Sequence, residues 1–208
     1  DLDSYWSSTI ETNELQSIAT FHHFFQIILR NIANMGLETY RVATVSIWFF
    51  ACIFEPMSAI DSISQYRDMF VTELKAKTQY SEPKNLYEPV SYILDLGGKR
   101  LRPVLTLMTA DIFGGKAKEA MDAALAVEMF HNFSLVHDDI MDDAPLRRGK
   151  TTVHEKWDVN TGILSGDAML ILAYQFFESY PAETYKKLTA LFSKTAIEVC
   201  EGQQYDVD

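Results

Sequence analysis

From Ala117 to Met141 the chain carries apolar residues at helical spacing, with no proline and no glycine between them. A stretch of that length and pattern predicts one amphipathic helix of about seven turns. Such a helix must bury its apolar stripe against other helices, because no alternating strand pattern elsewhere offers a sheet. The fold class is therefore all-α, built from antiparallel helices with short connections. The end of this helix is chemically distinctive: Asp138–Asp139–Ile140–Met141–Asp142–Asp143, followed within one loop by Arg147–Arg148–Gly149.

Asp138 and Asp142 are four residues apart and share a helix face, with Asp139 beside them. Carboxylates gathered at a helix C-terminus repel one another and meet the negative end of the helix dipole. A hard divalent cation resolves the conflict, and carboxylate oxygens suit Mg²⁺, which completes its octahedron with water and substrate phosphate. The arginines that follow are suited to bidentate phosphate recognition. A lone acidic cluster would read as a solvated helix end; acid cluster, cation and arginines together read as a diphosphate site.

Leu135–Val136–His137–Asp138–Asp139–Ile140–Met141–Asp142, with Leu146–Arg147–Arg148–Gly149, resembles the first aspartate-rich motif of the trans-isoprenyl diphosphate synthases (polyprenyl synthetases). Upstream, Gly97–Gly98–Lys99–Arg100–Leu101–Arg102–Pro103 resembles the same family's GGKRLRP motif, in matching order and separation. The resemblance runs from about Met57 to the end. It implies the helical bundle of the isoprenoid synthases, incomplete at its C-terminus, and a homodimer.

Composition narrows the alternatives. With 208 residues the chain is long enough for one domain with a proper core. A net charge of −11 argues against a nucleic-acid partner or an anionic membrane surface. Two cysteines, Cys52 and Cys200, make neither a disulfide framework nor a metal-ligand spacing, so a reducing, cytoplasmic setting is the default.

Residues 1–56 stand apart as an N-terminal extension, with six acidic residues, two arginines and no lysine. The uncharged run Val42–Phe54 is shorter than the roughly 20 residues that span a bilayer, so no stable membrane span is expected. The composition changes at Pro56–Met57, where the family likeness begins, which marks Met57 as a candidate native start. From Ser58 the pattern is helical, with Ile60, Ile63, Met69, Phe70 and Leu74 on one stripe. Ser81–Asn85 breaks it, a second helix runs from Leu86 to Gly97–Gly98, and a third from Arg102 to Gly114–Gly115. After the long aspartate-bearing helix, a loop spans Ala144–Thr152 and a turn of helix Val153–Trp157. Further helices cover Gly162–Tyr180 and Ala182–Val207.

The resemblance assigns roles residue by residue. It implies an enzyme that ionises an allylic diphosphate with Mg²⁺ and alkylates isopentenyl diphosphate, giving a short C15–C20 trans-prenyl diphosphate. Asp138, Asp139 and Asp142 match the metal ligands, with Asp139 supporting, while Asp143 reads as solvated surface charge. Arg147 matches the grip on the allylic diphosphate. Lys99, Arg102, His131 and Arg148 match the isopentenyl diphosphate clamp; Arg100 reads as surface and His137 as structural. Phe133 and Ser134, one turn before the aspartates, match the positions that limit product length. Gly202–Gln203–Gln204–Tyr205–Asp206 resembles the family's GQxxD segment, with Gln203 facing the allylic substrate and Asp206 joining the metal-water network.

The family's second aspartate-rich motif, and the Lys–Thr pair before it, have no counterpart in these 208 residues. The chain is accordingly expected to be a fragment with little activity alone, or a non-catalytic regulatory subunit of a complete synthase. A terpene cyclase shares an aspartate-rich helix but binds one diphosphate, which the clamp at Lys99, Arg102 and His131 argues against.

Overall fold

The structure is a computed structural model that describes residues 58–207. All but the first two belong to the second of two units into which the chain divides, Ile60–Asp208. The expectations for residues 1–56 and Met57 lie outside the described residues.

The unit is almost entirely helical. In chain order it comprises α1 (Ser58–Lys77), α2 (Lys84–Asp95), α3 (Leu101–Ile112), a 3₁₀ turn (Ala117–Ala120) and α4 (Met121–Met141). A two-residue hairpin follows, β1 (Leu146–Arg147) with β2 (Lys150–Thr151). Then come α5 (Val153–Lys156), α6 (Val159–Phe176), a 3₁₀ turn (Phe177–Ser179) and α7 (Ala182–Val207). The expected seven-turn helix is thus a 3₁₀ turn joined to α4. The helix expected from Gly162 starts earlier, at Val159, because Asp158 caps it by accepting from the Thr161 N–H at 2.9 Å.

The core gathers a stripe from five of the helices: Phe70 of α1, Val90 and Ile93 of α2, Leu107 of α3, Leu125 and Met129 of α4, and Met169 of α6. The main partner of α4 is α6. Their approach depends on Gly166, since a Cβ there would overlap the His137 ring, whose Nε2 lies 3.2 Å from the Ile163 carbonyl. His137 therefore packs and tethers. Phe192 of α7 meets Phe130 of α4 and Tyr174 and Phe177 edge-on, with ring centroids 5.0–5.2 Å apart. That aromatic cluster seats the last helix, and the Tyr180 hydroxyl accepts the Ala123 N–H near the start of α4.

The expected loop contains the small hairpin. Its two-residue turn is Arg148–Gly149, both with positive φ (54° and 73°), the arrangement that matches the twist of paired strands. The Tyr92 hydroxyl of α2 donates to the Thr151 carbonyl at 2.7 Å and holds the hairpin down.

Candidate active site

The end of α4 delivers Asp138 and Asp139 within the helix and Asp142 at its C-cap. Their side chains diverge. Asp139 points inward, 1 % exposed, and both of its oxygens accept from Arg147 Nε at 2.8 Å. Arg147 Nη2 adds a contact of 2.7 Å to Asp139 and a longer one of 3.5 Å to Asp138. This bidentate pair fixes a guanidinium beside the remaining carboxylates. Asp138 and Asp142 stay close enough to interact: burial, then the Asp142 charge, push the Asp138 carboxyl above its usual range. Gln203 of α7 offsets part of that shift by hydrogen-bonding the Asp138 side chain. Two candidates 65 positions apart in sequence are thereby brought together by the packing of α7 on α4. Asp206 lies exposed one turn further along α7.

Two carboxylates on one helix face, near enough for the Asp142 charge to act on Asp138, are a donor set that suits a hard cation bound through oxygen, so Asp138 and Asp142 fit Mg²⁺. Asp139 fits differently: with both oxygens on Arg147, it holds the arginine in place.

The second group of candidates gathers beside His131, seven residues before Asp138 on α4. Arg102, near the start of α3, places Nη1 3.1 Å from His131 Nε2. Desolvation first, then Arg102, Arg148, Arg147 and Arg100, hold the imidazole well below its ordinary 6.5. It is neutral at pH 7, and its Nε2 accepts from Arg102. Desolvation also lowers the guanidiniums of Arg102 and Arg148, each further opposed by a neighbouring arginine. Arg148 bonds the Gly97 carbonyl, bringing the hairpin tip to the Gly97–Gly98 turn. A Cβ on Gly98 would sit 2.9 Å from Arg148 Nη1, so the glycine makes room for this approach. Lys99 is exposed in the same turn.

Phe133 stacks edge-on with His137 at 4.7 Å and lies 5.5 Å from Phe130, against the core. Ser134 bonds the His131 carbonyl at 2.8 Å within its own helix.

One expectation is overturned. Arg100 is not a surface residue: it is 7 % exposed, in the left-handed region at φ 52°, and bonds both Glu128 of α4 and the Leu94 carbonyl. Glu128 is itself 3 % exposed and shares its carboxylate with Asn132, whose amide also bonds the Glu128 carbonyl at 2.7 Å. This buried network ties the Gly97–Arg100 turn to α4 and so sets the position of Lys99 and Arg102. Its signal in the sequence was Glu128 and Asn132, polar residues four apart on one face of α4.

The polyprenyl synthetase family model matches residues 83–208. The geranylgeranyl diphosphate synthase of Methanosarcina mazei is 40 % identical over 158 residues, which cover 73 % of this chain and 48 % of that protein. Among solved structures, a geranylgeranyl pyrophosphate synthase superposes with a TM-score of 0.69 at 64 % identity, over 70 % of this chain and 45 % of that one. The geranylgeranyl pyrophosphate synthetase of the archaeon Geoglobus acetivorans gives 0.68 at 37 % identity, over 70 % and 48 %. The chain spans about half the length of these relatives. It belongs to the polyprenyl synthetase family.

Proposed function

We propose that this chain forms part of a trans-prenyltransferase that condenses an allylic diphosphate with isopentenyl diphosphate. The observation that carries the reading is the convergence of Arg100, Arg102, Arg147 and Arg148 around one neutral histidine. Glu128 answers Arg100 and Asp139 answers Arg147, and the further charge of Arg102 and Arg148 is satisfied by a polyanion. The adjoining Asp138 and Asp142 supply the opposite requirement, a cation. Two subsites follow. Arg147, fixed by Asp139, faces the allylic diphosphate, and Lys99, Arg102, Arg148 and His131 face isopentenyl diphosphate.

Asp138 and Asp142 would hold Mg²⁺, which supplies charge neutralisation to a departing diphosphate. The chain's own residues orient the two diphosphates, and His131, kept neutral, accepts from Arg102 without adding repulsion to the arginine cluster. Gln203 steadies Asp138, while Asp206 extends the oxygen set along α7. The apolar side of α4 carries the prenyl tail away from the carboxylates, and Phe133 there restricts its length to a short product. The names of the relatives, geranylgeranyl synthases, are consistent with that range. Exposed Leu164 and Ile171 on α6 support pairing with a second copy. The chain's cysteine usage favours a cytoplasmic setting.

The test is a product assay on the full-length natural protein with Mg²⁺, isopentenyl diphosphate and a C5, C10 or C15 allylic primer. A C15 or C20 product is expected. A much longer product discards Phe133 as the floor, and no product from a folded protein favours a regulatory subunit over an enzyme.

A further inference from the structure

One cluster of ligating side chains lies outside both subsites. Asp143, in the turn that ends α4, meets His154 and Glu155 of α5. One ring nitrogen and one oxygen from each carboxylate lie within 4.8 Å of one another. His154 Nε2 is 4.0 Å from Glu155 Oε1.

The histidine is the informative member. It is 7 % exposed, and neither ring nitrogen has a hydrogen-bond partner among the described residues. Whichever tautomer holds the proton, an imidazole carries one donor and one acceptor, so both are left unsatisfied out of water. Coordination of a metal by one nitrogen would use the acceptor, the more demanding of the two here because two carboxylates face it.

The surrounding frame holds the three residues in place. Thr152, 1 % exposed, donates its hydroxyl to the Ala144 carbonyl at 2.8 Å and its N–H to the Pro145 carbonyl at 3.2 Å. These bonds close the hairpin's base, so the residue after Asp143 is tied to the residue two before His154. Asp143 itself takes a left-handed conformation, φ 49°, which turns the chain sharply after α4. On the far side, a Cβ at Gly162 would stand 3.7 Å from His154 Cβ, so α6 packs against the base of that side chain.

We propose that Asp143, His154 and Glu155 form a second divalent-cation site, selective for a transition metal such as Zn²⁺ over Mg²⁺. One imidazole and two carboxylates make a three-ligand set with room for water, a set in which the nitrogen disfavours Mg²⁺. Metal–ligand bonds of about 2.0–2.2 Å need the donor atoms somewhat closer than they stand, and Asp143 and Glu155, both exposed, are able to rotate inward. The bound ion would pin the turn after α4 to α5, across the base of the hairpin that carries Arg147 and Arg148. The site does not depend on the prenyltransferase reading.

The experiment is a calorimetric titration of metal-free protein with Zn²⁺ in millimolar Mg²⁺, paired with the visible spectrum of the Co²⁺-loaded protein. One Zn²⁺ per chain is expected, with Asp138→Asn, which removes a ligand of the other site, leaving that binding intact. Asp143→Asn and Glu155→Gln should each weaken it by about tenfold or more. His154→Gln should remove the Co²⁺ bands, and if that variant fails to fold, the two exposed carboxylate variants decide the question. Zn²⁺ binding unchanged in both, displacement by Mg²⁺, or no binding to the wild-type protein would each overturn the proposal.

Discussion

The Arg100–Glu128 pair shows how a single buried charge organises this site. Taking either ion out of water is costly, and the contact offsets that cost only while both partners are present. Glu128→Leu leaves the Arg100 guanidinium buried beside one carbonyl, and should cost about 3–5 kcal/mol in urea denaturation. Adding Arg100→Met should restore most of that loss. A single-variant cost under ~1 kcal/mol would show that the arginine escapes to solvent. His131 offers a second residue-level test through pH. Its folded pKa lies below the ordinary 6.5, so its contribution to stability is complete above that value and is lost as pH falls toward the folded pKa. His131→Gln keeps an acceptor for Arg102 but does not titrate, and should lose less stability than wild type between pH 7 and pH 5. Parallel stability curves for the two proteins would contradict the assigned shift. Arg100 was misread from sequence because a basic residue in a glycine turn is usually solvated. What buries it is a carboxylate 28 positions later on another helix, invisible to local pattern.

At the scale of elements, most of the fold was legible because proline and glycine punctuate it. α1 and α7 coincide with the periodic stretches beginning at Ser58 and Ala182. The break between the 3₁₀ turn and α4 was not legible, since Ala117–Ala120 contains no breaker and its geometry is set by packing against α3. The hairpin was missed for a related reason: a two-residue strand is too short to alternate, and its turn uses Arg148 where glycine or asparagine is usual. Candidate site residues were legible where motif spacing placed them on α3 and α4. That Asp139 turns inward onto Arg147 was not, because it depends on which carboxylate the arginine reaches. The α4–α6 contact has its own test. Gly166→Ala drives a methyl group into the His137 ring and should cost about 1–3 kcal/mol. Combined with His137→Ala, the loss should be well below the sum of the single losses, because the clash has gone. Additive losses would mean that the two helices separate regardless of that ring.

Over the whole molecule, charge and apolar surface are distributed unevenly. A chain of net charge −11 places four of its seven arginines at one site, beside a face lined by carboxylates. Elsewhere, large apolar side chains remain in contact with solvent on the last two long helices. Leu164 and Ile171 of α6, seven residues apart and so on one face, are 60 % and 59 % exposed, and Ile197 of α7 is 59 % exposed. An exposed apolar stripe of this kind is suited to cover by another protein surface. Sedimentation of the 208-residue chain should therefore show concentration-dependent association. Leu164→Glu with Ile171→Glu should shift it toward monomer while leaving the folded state nearly as stable, because neither side chain contributes to the core. If the double variant associates as the wild type does, the pairing surface lies elsewhere; if it unfolds, α6 carries more of its stability on that face than the exposures imply.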